Sequence, residues 1–121
     1  MLPYWFCKNY LKYAQQGFGT EFDQHYIVAA IAPRNVCANL AELDFWADQK
    51  STQLCYMAAS EAWERLGIDG LIGSDHYISP KEMLLDGNVG IFMTPTHHFL
   101  SRHAWNNFME FMRVHKKHNF I

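Results

Sequence analysis

The stretch NVGIFMT, residues 88–94, decides between two folds for this chain, because it is the clearest β-strand pattern in the sequence. It lies between the turn-forming pair Asp86–Gly87 and Pro95, and it contains no charged residue. If residues 25–32, HYIVAAIA, form a second strand, the two stretches pair and the fold is α+β. If residues 25–32 are helical, the fold is mainly α.

Residues 25–32 favour the helix. Phe22, Tyr26 and Ala30 recur at helical spacing, and polar residues do not alternate with apolar ones as they do in a half-buried strand. Pro33 would end this helix, since proline lacks the backbone N–H that a helix interior needs. We therefore predict a helix over this stretch and keep the strand as the alternative.

Amphipathic helical patterns cover most of the remaining chain. Each places apolar residues on one side and polar residues opposite, and they span residues 3–16, 36–48, 51–66 and 95–117, of which 36–48 and 51–66 form one long helix or two. Ser79, Pro80 and Glu82 form a capping box with proline at the first helical position, which predicts a further short helix ended by Gly87.

These patterns together predict a mainly α fold. We expect one compact globular domain over residues 1–121, built from five or six helices, with a small two-stranded hairpin around residues 70–94. Residues 71–78, LIGSDHYI, are the expected partner of the strand in that hairpin.

The composition points to a binding surface. Aromatic side chains make up 16% of the 121 residues and charged ones 18%, below the ordinary charged share of about 25%. A small core does not easily hide so much ring surface, and aromatic residues are enriched in protein interfaces. The expected contact residues lie near the N-terminus: Tyr4, Trp5, Phe6, Tyr10 and Tyr13. We therefore predict a small non-enzymatic interaction module, of the kind that phages and mobile elements encode, which forms a homo-oligomer or binds a protein partner.

A small enzyme or ligand-binding protein is the alternative. Its pocket would be lined by aromatic side chains, and four polar residues are its candidate catalytic groups. Asp75 and His76 lie in the loop GLIGSDHY, residues 70–77, and loops held by rigid elements often carry chemistry. His103 and Glu110 share one side of the last predicted helix, where a carboxylate can orient an imidazole.

Three histidines lie in TPTHHFLSRHAW, residues 94–105. An α-helix advances by about 100° per residue, so His97, His98 and His103 point in three different directions on the predicted helix. A metal-binding pair on one helix needs a spacing of four residues, which this cluster lacks. We therefore interpret the cluster as the start of a helix, predict no metal site in it, and expect His97 and His98 to be structural or solvent-facing.

The charge distribution argues against nucleic acid as a partner. The net charge is −2, so the molecule as a whole does not attract polyanions. Basic residues outnumber acidic ones in residues 102–121, yet cations near the end of a helix also complement its dipole. We rank nucleic-acid binding last among the functions considered.

The three cysteines, Cys7, Cys37 and Cys55, form neither a disulfide framework nor a zinc motif. We expect buried, unreactive thiols in a reducing compartment, which favours the cytoplasm. The sequence contains no apolar run of the length that a membrane helix needs, so we expect no membrane contact.

Residues 58–70, AASEAWERLGIDG, resemble the helix–LGID segment of nitroreductase-like flavoproteins. The arginine-rich phosphate-binding start of that family is absent from this sequence. The resemblance therefore assigns no flavin-binding residue, and we expect no cofactor.

Overall fold

The computed structural model describes residues 6–13 and 20–116. Its elements, in chain order, are a 3-10 helix (Lys8–Lys12), α1 (Gln24–Ala29), β1 (Val36–Ala41), α2 (Gln49–Glu64), β2 (Met83–Leu84), β3 (Val89–Thr94) and α3 (Arg102–Lys116). The strands form one three-stranded sheet in the order β1-β3-β2. The prediction of a mainly α fold with five or six helices is therefore wrong, since a mixed sheet forms the centre of the described residues.

The strand β1 overturns the predicted helix over residues 36–48. It pairs in parallel with β3, with Val36 opposite Val89 and Ala41 opposite Thr94. The apolar spacing that favoured a helix is also present in a short buried strand, because such a strand needs no polar alternation. Residues 36–41 form a strand because they pair with a distant segment, and local residue spacing contains no information about that pairing.

Residues 89–94 form the strand β3 within the predicted stretch 88–94, but neither proposed partner pairs with it in the expected way. Residues 25–32 contribute to α1, which confirms the helix predicted there and excludes the strand alternative. The antiparallel partner of β3 is β2, at Met83–Leu84, and not residues 71–78.

The predicted short helix after Ser79 is also absent, although its capping contacts are present. The backbone N–H and the hydroxyl of Ser79 donate to Glu82 Oε2 at 2.9 and 3.0 Å. Lys81 has φ of 74°, a left-handed conformation that a right-handed helix cannot contain. The capping box therefore closes a turn that leads into β2.

Both faces of the sheet are covered by helices, as a parallel sheet requires. On one face, Leu40 of β1 and Val89 and Ile91 of β3 pack with Ala59 and Trp63 of α2. On the opposite face, the core contains Phe92 of β3 together with Leu85, Ala104 and Phe111. Successive strand residues point to opposite faces, so β1 and β3 each contribute to both cores.

The helix α2 covers most of the helix predicted over residues 51–66. It begins after Asp48, whose carboxylate accepts a hydrogen bond from the backbone N–H of Ser51 at 3.0 Å. Trp63 near its end is fully buried, and its indole N–H donates to the carbonyl of Arg34 at 3.2 Å. In chain order, α2 connects β1 with the hairpin formed by β2 and β3.

Gly90 permits the close packing of α3 on the sheet. A Cβ atom added at Gly90 would lie 2.7 Å from the Phe111 ring and 3.2 Å from the Cys37 sulfur. We predict that Gly90→Ala lowers the free energy of unfolding by about 1–3 kcal/mol, because the ring must move in a packed core. Urea unfolding measures the change. Combining it with Phe111→Leu, which makes room, should cost less than the sum of the two single changes; additive losses would contradict this account.

Candidate active site

The parallel pairing of β1 with β3 brings an acid and a histidine together. Asp44 follows β1 and His98 follows β3, and the carboxyl ends of neighbouring parallel strands lie at the same edge of a sheet. His98 Nδ1 lies 2.5 Å from Asp44 Oδ2. Because a carboxylate only accepts hydrogen bonds, Nδ1 carries the proton and donates a hydrogen bond to Asp44.

Backbone hydrogen bonds join the two loops beyond the ends of the strands. The N–H of Glu42 donates to the carbonyl of Thr94 at 2.9 Å, and the N–H of Leu43 donates to the carbonyl of Thr96 at 3.0 Å. The contact between the side chains of Asp44 and His98 lies directly beyond these two backbone hydrogen bonds. The sheet therefore controls the distance between the two side chains.

The two partners differ sharply in their exposure to solvent. The Asp44 side chain is 6% exposed, whereas the His98 ring is 88% exposed. The hydrogen bond from His98 holds the pKa of the Asp44 carboxyl below its ordinary value; the backbone N–H of Trp46 adds to this effect, and burial opposes it. Asp44 is therefore a carboxylate at neutral pH, close to an accessible imidazole.

Gln49, at the start of α2, fixes the loop that carries the acid. Its side-chain amide donates to the carbonyl of Ala41 at 2.6 Å and to the carbonyl of Asp44 at 2.9 Å. Both ends of the short segment between β1 and the acid are thus attached to α2. A cavity of about 390 Å³ lies between this loop and His98.

An imidazole held in this way suits proton transfer. A carboxylate on Nδ1 fixes the tautomer and orientation of the ring, and the opposite nitrogen, Nε2, can then take a proton. Within residues 6–13 and 20–116, no hydroxyl or thiol is hydrogen-bonded to Nε2 of His98. The order of acid before histidine along the chain is the order found in α/β-hydrolases.

The sequence reasoning missed this pair. The helical patterns place Asp44 in a helix over residues 36–48 and His98 in a helix over residues 95–117. The structure places both residues in loops, since α3 begins at Arg102. The available signal was a carboxylate just after one apolar stretch and a histidine just after another, but it becomes informative only when both stretches are recognised as parallel strands.

The structure places the four predicted catalytic candidates in two separate elements. Asp75 and His76 lie together in the loop after α2, with Asp75 Oδ1 2.8 Å from His76 Nδ1. Glu82 binds the other side of the ring, with Oε1 2.5 Å from Nε2. His103 is exposed on α3, and Glu110 on the same helix pairs with Arg113.

The His76 cluster holds a loop. Both nitrogens of the ring are engaged by carboxylates, which leaves neither nitrogen available to a substrate. The buried side chain of Gln53 accepts from the N–H of Ile78 at 3.0 Å and donates to the carbonyl of His76 at 2.6 Å. These contacts attach the loop to α2.

The predicted interface residues lie partly outside the described residues. Tyr4 and Trp5 are not among them. Phe6 and Tyr13 are exposed, and Phe6 stacks on Tyr10 with ring centroids 4.4 Å apart. Their role in an interface stays a prediction.

The described residues contain no group of three or more His, Cys, Asp or Glu side chains arranged to hold a metal ion. Burial raises the pKa of the Cys37 thiol to about 12, so this cysteine is a neutral thiol and a poor nucleophile. No helix in the described ranges is both long and apolar enough to span a membrane.

The comparisons with known proteins identify the family. The family model of fungal glucuronyl esterases matches residues 2–67, more than half of the chain, and the chain belongs to this family. Asp44 lies within the matched residues, whereas His98 lies beyond them.

Similar proteins include a carbohydrate esterase from an unknown prokaryotic organism, 30% identical over 93% of this chain. A promiscuous CE15 esterase from a marine bacterial metagenome matches 93% of the chain with 29% identity and a TM-score of 0.86. The glucuronoyl esterase from Solibacter usitatus matches the same share with 29% identity and a TM-score of 0.82. The chain spans about a quarter of the length of these relatives, 26% of the first and 28% of the two structures.

The family membership corrects two expectations. A non-enzymatic, self-associating interaction module is wrong as a description of this chain, since it belongs to a family of esterases. The flavoprotein resemblance of residues 58–70 is also superseded, because this segment is part of α2 and the following turn in an esterase-like fold.

The histidine held between two carboxylates generates a pH prediction. The hydrogen bonds that the ring donates to Asp75 and then to Glu82 raise the pKa of His76 above its ordinary value of 6.5. Its contribution to stability is therefore complete below a pH of about 6.5 and is lost as the pH rises through the raised pKa. We predict that Asp75→Asn lowers the His76 pKa, measured by NMR titration of the ring.

Glu61→Gln is the matched control, because Glu61 pairs with Arg65 on the exposed side of α2. It should leave the His76 titration unchanged. Identical His76 titration curves for Asp75→Asn and the unaltered protein would show that the predicted contact does not form in solution.

Proposed function

We propose that this chain supplies the acid–base pair of a carbohydrate esterase that hydrolyses esters of glucuronic acid. The observation that carries the proposal is the 2.5 Å contact between His98 Nδ1 and the buried Asp44 carboxylate. The names of its relatives, carbohydrate esterase and glucuronoyl esterase, support the substrate class.

In this mechanism His98 moves protons and Asp44 keeps it in position. Nε2 of His98 takes the proton of a nucleophilic hydroxyl as its oxygen attacks the ester carbonyl, and the resulting imidazolium donates that proton to the departing alcohol. Water then attacks the acyl intermediate with His98 again as base, which releases the carboxylic acid and regenerates the hydroxyl. The lowered pKa of Asp44 suits its role, because only the ionised carboxylate stabilises the imidazolium.

The nucleophile belongs to a part of the esterase outside the described residues. The hydroxyls of Ser51, Ser60, Ser79 and Ser101 take part in hydrogen bonds of local structure, and no serine of the described part is hydrogen-bonded to His98. The relatives are much longer than the segment they share with this chain, since only 28% of their length is matched. A complete active site therefore needs the chain to be combined with further hydrolase structure.

Two aromatic side chains next to the acid favour an organic substrate. Phe45 and Trp46 directly follow Asp44, and each is 85% exposed. Exposed patches of large apolar side chains often mark sites where a protein binds a ligand or a partner.

A chimeric enzyme tests the proposal. This chain replaces the matching 28% of the glucuronoyl esterase from Solibacter usitatus, and hydrolysis of a glucuronate ester is measured. We predict that His98→Ala lowers kcat by about 10³-fold or more, since single losses from a catalytic triad have effects of this size. Asp44→Asn should lower kcat by a comparable factor without a matching change in KM, because it leaves the wrong tautomer of His98.

His97→Ala and Asp86→Asn are the matched controls, since both side chains are exposed and lie outside the pair. They should retain activity close to that of the unaltered chimera. A folded chimera whose activity survives both His98→Ala and Asp44→Asn would overturn the proposed function, as would a folded chimera without any esterase activity.

A further inference from the structure

We propose that Thr94 is a positioning residue for the Asp44–His98 pair, acting through a chain of hydroxyl hydrogen bonds that joins the His98 loop to β1. This inference rests on the proposed function and adds a residue to it. Thr94 is the last residue of β3 and is fully buried. It does not touch the reacting atoms, so its effect must pass through the loop that holds His98.

The Thr94 hydroxyl lies among three oxygen atoms. Its Oγ1 is 3.1 Å from Asn39 Oδ1, 2.9 Å from Thr96 Oγ1 and 3.4 Å from the carbonyl of Leu40. A hydroxyl has one proton to donate, and the Asn39 amide oxygen can only accept. Thr94 therefore donates to Asn39 at the shorter of its two acceptor distances, and Thr96 donates to Thr94.

This direction connects the loop to the neighbouring strand. The chain of bonds begins at Thr96, two residues before His98, passes through Thr94 and ends at Asn39 in β1. Asn39 also lines the cavity beside Asp44 and His98. The backbone bond from Leu43 to Thr96 holds the loop at one point, and the hydroxyl chain adds a second attachment at the same residue.

His98 depends on this attachment more than Asp44 does. Asp44 is buried, and Gln49 and the N–H of Trp46 hold its loop and its carboxylate independently of the histidine. The His98 ring is 88% exposed, so few packing contacts restrict it. The position of the ring is therefore determined by the Asp44 contact and by the path of the preceding loop, which Thr96 fixes.

Removal of the Thr94 hydroxyl breaks the chain without opening a cavity. Valine has nearly the same shape as threonine, but its methyl group neither accepts from Thr96 nor donates to Asn39. The two partners are left with unsatisfied polar atoms in a partly buried site, which favours local rearrangement. Serine keeps the hydroxyl and loses only the methyl group.

NMR on the chain itself tests the proposal through the acid–base contact. The readouts are the titration of the Asp44 side-chain carboxyl carbon and the downfield proton signal of the His98 Nδ1–H. For Thr94→Val we expect the Asp44 pKa to rise by roughly half a unit or more, and the His98 proton signal to broaden or vanish, because the contact is populated less. Thr94→Ser should keep both signals close to those of the unaltered chain.

Ser60→Ala provides a control for loss of stability alone. Ser60 is buried on α2, and its hydroxyl bonds the Tyr56 carbonyl and the Leu71 N–H at 3.0 and 2.8 Å, apart from the acid–base pair. This variant should unfold more easily and leave the Asp44 titration unchanged. If Thr94 contributes only to stability, Thr94→Val should likewise unfold more easily and leave the Asp44 titration unchanged.

Unchanged Asp44 titration and an intact His98 signal in folded Thr94→Val would overturn the inference and leave the proposed function untouched. If Thr94→Val does not fold, Thr96→Val removes the outer hydroxyl at a half-buried position and must weaken the same two signals. Unaltered signals in that variant would equally overturn the inference. The esterase assay in the chimera judges the function separately, because these NMR readouts need no substrate.

Discussion

The parallel pairing of β1 with β3 is the constraint on which the rest of the structure depends. It places two loops from distant parts of the chain at one edge of the sheet, so that side chains 54 residues apart form a hydrogen bond. The helix α2 forms the connection between the two halves of the sheet and covers one of its faces. Without the pairing, Asp44 and His98 would be unrelated polar residues on the surface.

The surroundings of the pair give Asp44 and His98 different properties: Asp44 stays charged, and His98 stays accessible. Burial alone would favour the neutral acid at Asp44, but the hydrogen bonds from His98 and Trp46 outweigh it and keep the carboxylate charged. The exposed ring of His98 remains accessible to a reacting group. The same local arrangement contrasts with that of His76, whose two nitrogens are both occupied by carboxylates and which therefore holds a loop.

The fold shows where the aromatic side chains lie, which the composition of the sequence does not show. Ring surface beyond the needs of one small core predicts protein association. Phe45 and Trp46 directly follow the acid in the chain and are each 85% exposed, so part of this ring surface lies in the loop that carries Asp44. Composition measures how much apolar surface a chain has, but it does not report where that surface lies.

Local side chains predict a helix where α1 forms, most of α2, the strand at residues 89–94 and the contact of Ser79 with Glu82. Each of these features depends on residues close together in sequence. Three others appear only once distant segments pair: residues 36–41 form a strand, Ser79 and Glu82 close a turn instead of starting a helix, and Asp44 contacts His98. The physical reason is that strand pairing is a contact between distant segments, and a short apolar stretch satisfies a buried strand and a helix equally well until its partner is known.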